Sequence, residues 1–182
     1  MFKVLVILLF VFIIGLPILS YAQSKRNNDK DLINNAFYNW KLKQYKSGRY
    51  ATEDNCNLEK VTTAGYKGPE AGISKEVTFH YSDINLDSIP DALITFSPYL
   101  CDGGLALSNT QVKLLILSKG DKYYVDDYFI ANIEKKYKGW FLMDGVSNGK
   151  LFGRYNEGGR TAERIKPFTL SYKTKKITFN TQ

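Results

Sequence analysis

Hydrophobic positions follow three different rhythms along the chain. From Val4 to Leu16 they form an unbroken apolar run. From Asp29 to Lys46 they recur at steps of three and four: Leu32, Ile33, Ala36, Phe37, Trp40 and Tyr45. That spacing predicts an amphipathic helix with one aromatic-rich face. Asn28 or Asp29 can cap its start, Lys41, Lys43 and Lys46 suit its C-terminal dipole, and Ser47-Gly48 ends it. From Lys75 onward the period becomes two. Val77, Phe79 and Tyr81 open a series of β-rich runs: 92–96, 112–117, 122–130, 138–143, 150–155, 168–172 and 177–179. Their connections are turn-like, at Lys119-Gly120-Asp121, Asp144-Gly145, Ser147-Asn148-Gly149 and Lys173-Thr174-Lys175.

These patterns predict an α+β class. One N-terminal amphipathic helix (29–46) packs on a curved antiparallel β-meander (75–180) of about seven or eight strands. An irregular, glycine-containing loop (49–74) lies between them. Leu114-Leu115-Ile116-Leu117 is apolar on both faces. Its strand is therefore expected at the centre, with the helix on one side and sheet or loop on the other. No internal repeat and no second domain is legible.

The apolar run at the start is read as an export signal over residues 1–22. Lys3 supplies the positive end, Pro17 breaks the run, and Ser20-Tyr21-Ala22 offers small residues for cleavage. The run is short for a bilayer core of roughly 30 Å. Cleavage would leave about 160 residues, a length typical of one domain, with no further membrane span. Export implies a periplasmic or secreted protein. In an oxidising compartment the two cysteines, Cys56 and Cys101, are expected to form a disulfide. The formal charge of +7 falls to +6 without Lys3. Lysines occur along the whole chain, which reads as a solvated surface, and no nucleic-acid partner is expected.

The candidate chemistry is sparse. Asp83, Asn85, Asp87 and Asp91 follow the alternating spacing of a Ca²⁺ loop, with Ile89 offering a backbone carbonyl. Ser88 replaces the glycine expected of an EF-hand and Ile94 replaces the distal Glu, so a hairpin turn held by Asx side chains competes with a Ca²⁺ site. Ca²⁺ is the one cofactor the sequence suggests. His80 is the single histidine, lies between Phe79 and Tyr81 in a strand, and has no G-x-S-x-G nucleophile to serve. Asp126 and Asp127 are adjacent in an expected strand and point to opposite faces. The loops around Asp102-Gly103-Gly104 and Gly158-Gly159-Arg160, with Tyr99, Tyr137, Trp140 and Tyr155, could form an aromatic and cationic ligand-binding surface. The 24 Tyr and Phe residues exceed what one such surface needs, so most are expected to pack inside.

The run Tyr81–Phe96 (YSDINLDSIPDALITF), the Cys101-Asp102-Gly103-Gly104 loop, VKLLILSKGDKYYV and NGKLFGRY together resemble a type of exported bacterial domain of uncharacterised activity. The likeness runs from about Lys75 to Tyr172. It implies export and a β-rich fold, and it implies no activity. Those domains commonly carry Cys-Cys-Pro near the C-terminus; here Gly158 to Pro167 has no Cys, so a second disulfide is not expected. A non-catalytic binding or accessory module of the cell envelope, with an unknown protein or envelope ligand as partner, fits these features best. The alternatives are a carboxylate-based hydrolase and an inhibitor or immunity-type protein.

Overall fold

A computed structural model describes residues 27–103, 111–157 and 165–180. The expected export signal, Arg160 and the second glycine loop lie outside the described residues. The fold has three layers, a helix, a first sheet and a second sheet, with antiparallel strands throughout.

Helix α1 covers residues 27–46. Asn28 and Asp29 already lie inside it and are not its caps, a shift of the size common at helix ends. Ile33, Phe37 and Trp40 are buried, at the predicted three- and four-residue steps. After α1 come a one-turn helix, α2 (Leu58–Val61), and strands β1 (Ala71–Ser82), β2 (Asp91–Leu100), β3 (Val112–Lys119) and β4 (Lys122–Asp126). These four strands form sheet A in sequence order. Helix α3 (Phe129–Tyr137) follows, then β5 (Trp140–Ser147), β6 (Lys150–Asn156), β7 (Ile165–Ser171) and β8 (Ile177–Phe179). These last four form sheet B, again in sequence order.

Sheet A is the middle layer. Its helix-facing residues Ala92, Ile94, Phe96, Leu114 and Ile116 pack with Ile33, Phe37 and Trp40 of α1. Phe37 is stacked on Trp40 and meets Phe79 edge-on at 5.5 Å between centroids. The other face places Leu93, Leu115 and Leu117 against Phe141, Met143, Leu151, Phe168 and Leu170 of sheet B, joined by Phe129, Ile130 and Ile133 of α3. The doubly apolar run Leu114–Leu117 is thus central and wholly buried, as its pattern predicts.

Four further features differ from the sequence expectation. The meander is not one sheet: it breaks after β4. The run 122–130 is strand only to Asp126, whose Oδ1 accepts from the backbone N–H of Tyr128 (3.0 Å) and Phe129 (2.9 Å) and so starts α3. The expected run 138–143 is strand only from Trp140; α3 runs to Tyr137 and is closed by Lys138 in the left-handed region (φ 56°). The Asp144-Gly145 pair is not a turn. It is a bulge within β5, between Met143 and Gly145.

Polar side chains finish the exposed edge of sheet B. The Gln111 amide donates to the Met143 carbonyl (3.1 Å) and accepts from the Met143 N–H (2.7 Å). Lys113 donates to the Phe141 carbonyl (2.8 Å) and pairs with Glu134, which in turn accepts from the Phe141 N–H. At Phe141 and Met143, edge strand β5 therefore has its outward backbone groups met by side chains, which hinders strand addition there.

Candidate functional site

The acidic loop between β1 and β2 is a network of side-chain-to-backbone bonds. Asp91 is fully buried. Its Oδ2 accepts from the N–H groups of Ile84 (2.7 Å) and Asn85 (3.0 Å); its Oδ1 accepts from the Ser118 N–H (2.6 Å) and hydroxyl (2.8 Å). The Asp83 carboxylate accepts from the N–H groups of Asp87 and Ser88, and Asp87 accepts from the Ile89 N–H. Asn85 donates to the Ser118 carbonyl. These bonds hold Leu86 and Ser88 at positive φ (65° and 70°), a conformation that L-residues adopt only when surrounding bonds impose it. Burial pushes the Asp91 carboxyl above the usual carboxylate range, against the four donors that pull it down. Among the described residues no group of three or more His, Cys, Asp and Glu converges as a metal cage would. The four residues tie β2, β3 and the turn together.

Cys56 and Cys101 are bonded, with Cα atoms 4.6 Å apart. The bridge closes the neck of the 52–70 loop. The Ala51 N–H donates to the Ala71 carbonyl and the Cys101 N–H donates to Glu70. Asp102 is exposed beside the bridge. Tyr99 lies across Gly72, where a Cβ would collide with its ring at 2.3 Å, and lines a shallow pocket of about 360 Å³ with Glu53, Cys56, Ser74 and Lys75.

The other expected recognition residues separate. Tyr155 is buried, and Tyr137 packs edge-on against it and against Phe141. The Tyr155 hydroxyl donates to the Tyr137 carbonyl at 2.8 Å. These two tyrosines belong to the core. Trp140, by contrast, is 62 % exposed. The sequence reading therefore grouped residues that the fold assigns to three places.

His80 faces away from Phe79 and Tyr81, opposite Leu93, and Asp126 and Asp127 serve different ends. Asp126 starts α3. Asp127 pairs with Arg49 (3.5 Å) and accepts from the Trp40 indole (3.4 Å) at a groove of about 580 Å³ between α1 and β4.

Trp140 is part of a surface that sequence reasoning missed. Cross-strand pairing puts four rows on the outer face of sheet B: Trp140–Asn156–Ile165, Leu142–Arg154–Pro167, Gly145–Phe152–Thr169–Thr178 and Ser147–Lys150–Ser171. Side chains directly opposite one another share a face. Phe152 is 42 % and Ile165 39 % exposed. The Phe152 ring lies over Gly145, which has no Cβ to hold it off. Trp140-Phe141-Leu142-Met143 is apolar on both faces, like Leu114–Leu117, but on its outer side Trp140 is exposed and Leu142 only half-buried. That doubled pattern was the available signal.

Charge is concentrated in the same half. From Lys138 to the C-terminus there are nine Lys and Arg against three Asp and Glu, so this segment carries +6 of the formal +7. The cations are indeed spread along the chain; the acids are not. Of the described acids there, Asp144 is gripped by Arg154 through two hydrogen bonds (3.1 and 3.2 Å), and Glu157 pairs with Lys166.

No known protein family matches the chain, and neither a curated protein nor a solved structure matches it. No helix among the described residues is long and apolar enough to cross a membrane.

Proposed function

We propose that the protein is an exported, non-catalytic binding module of the cell envelope, and that its contact surface is the outer face of sheet B. The observation that carries this reading is the exposed apolar set Trp140, Phe152 and Ile165, with half-buried Leu142, on one face of sheet B within a strongly cationic segment. Several large apolar side chains exposed on one face mark a surface that a partner covers. The Cys56–Cys101 disulfide suits an oxidising compartment. Among the described residues the one carboxyl with a raised pKa, Asp91, is inside the protein and saturated by donors, so it offers a substrate no acid or base.

The closed neck of the 52–70 loop favours a second reading, a loop that blocks a protein partner, with exposed Leu58 at its helical turn. A double substitution, Trp140→Ser with Phe152→Ser, separates the two. Cell envelopes washed with purified protein should retain wild type and release the variant, both having the same melting temperature. Equal retention of variant and wild type overturns the sheet B reading. Loss of retention on Leu58→Ser instead would establish the loop.

A further inference from the structure

Resting on the sheet B reading, we infer that the surface this face contacts is an anionic lipid bilayer. Three observations point to lipid. First, the exposed set includes an aliphatic side chain, Ile165, beside Trp140 and Phe152, and half-buried Leu142 and Pro167 share the face. Aliphatic groups gain by leaving water for the acyl boundary, and Trp sits well at the headgroup level. A sugar polymer would be gripped by ring faces and hydrogen-bonding groups and would make little use of Leu and Ile.

Second, the cations frame the apolar rows at both ends. Lys138 precedes Trp140 at one end; Lys150, Lys173, Lys175 and Lys176 lie in and around the turns at the other. All five are exposed, and none makes an ion pair among the described residues. Lysines flanking an apolar patch can reach headgroup phosphates while the patch enters the interface.

Third, the described acids on this half are already neutralised by Arg154 and Lys166, so the face presents little repulsion to an anionic surface.

The test uses residues 23–182, which keep every residue of both buried clusters and remove the apolar N-terminal run from the measurement. Co-sedimentation is measured with phosphatidylglycerol-containing vesicles and with pure phosphatidylcholine vesicles. Binding is expected with the first and little with the second, falling as salt rises from about 0.1 to 0.5 M because the Debye length shortens. Lys173→Gln, Lys175→Gln and Lys176→Gln together should weaken it on the order of 100-fold, at roughly fivefold per lysine. Trp140→Ser and Phe152→Ser should each cost on the order of tenfold; both positions are exposed, so folding is kept and a circular dichroism melt checks it. Equal binding to both vesicle types, no binding to either, or no effect of the Trp140 and Phe152 variants overturns the lipid assignment. So does a soluble acidic polysaccharide that protects Trp140 and Phe152 where vesicles do not. If vesicles fail while cell envelopes still retain wild type and release the double variant, only the lipid assignment falls and the binding face stands.

Discussion

Replacing Asp91 by Ala removes the centre of the β1–β2 turn. The carboxylate accepts four hydrogen bonds, three from backbone N–H groups of Ile84, Asn85 and Ser118 and one from the Ser118 hydroxyl. The hydroxyl has a second acceptor in Asp87 at 2.8 Å; the three N–H groups have no other acceptor in the network. A donor stranded in the interior costs about 1–3 kcal/mol. Three such donors would cost about 4–5 kcal/mol at the lower half of that range. Removing a desolvated charge offsets part of this, because burial already raises the Asp91 pKa. The net expectation is about 3 kcal/mol, which for a domain of this size lowers the melting temperature by about 10 °C. Asp91→Asn keeps one oxygen, so it should fall between wild type and Asp91→Ala. Chemical denaturation followed by circular dichroism, with chelator present throughout, measures the difference. If Asp91→Ala lies within about 0.5 kcal/mol of wild type, as an ordinary surface change would, the carboxylate does not hold the turn and the reasoning fails.

Four further outcomes follow from other parts of the structure. In the chain-entropy view, removing both Cys56 and Cys101, which are separated by 45 residues, should cost about 4 kcal/mol; a free-thiol assay on denatured, unreduced protein should find no thiol. Calorimetry with millimolar Ca²⁺ should show no saturable heat in wild type, because the acidic loop's oxygens are engaged by N–H groups; a saturable heat abolished by Asp87→Ala would reverse that reading. Gly153→Ala should destabilise by more than about 2 kcal/mol, since a Cβ there would meet the Leu142 carbonyl oxygen at 1.9 Å; a neutral effect would mean the β5 bulge can move. Burial raises the Tyr123 pKa well above its ordinary value, with the Asp29 carboxylate adding to it, so the unfolded chain loses this proton first and Tyr123 takes stability away as pH rises beyond about 10. Its buried hydroxyl lies near the Asp29 carboxylate but makes no close hydrogen bond among the described residues, so Tyr123→Phe should be close to neutral at pH 7 and flatten the alkaline loss; greater alkaline sensitivity in the variant would contradict this.

Much of the fold was legible because its signals are local. The steps of three and four in α1, the alternation of β1 and the Asn148-Gly149 turn, both residues at positive φ, each depend on neighbours in sequence. The doubly apolar Leu114–Leu117 even gave the layer order. Helix α3 was missed because its three buried residues, Phe129, Ile130 and Ile133, continue a run that alternates like a strand, and its start depends on one bond pattern at Asp126. The split into two sheets was not legible, since it depends on where β5 leaves β4 in space. The outer face of sheet B was missed for a related reason. Trp140–Met143 looks like a buried strand, and only the layer order reveals that one of its apolar faces turns to solvent at Trp140. The acidic loop, the most recognisable stretch, is held by its own side-chain oxygens, which accept mainly from backbone N–H groups of the turn and of Ser118.

Hydroxyl-radical footprinting of wild-type protein, free and mixed with cell envelopes, tests the binding face most directly. It reads the solvent exposure of individual side chains, and Tyr38 and Tyr128, exposed elsewhere on the molecule, serve as internal controls. Oxidation of Trp140 and Phe152 should fall severalfold on mixing while that of Tyr38 and Tyr128 stays unchanged. Unchanged oxidation of Trp140 and Phe152 under conditions where the envelopes retain the protein would show that another surface makes the contact.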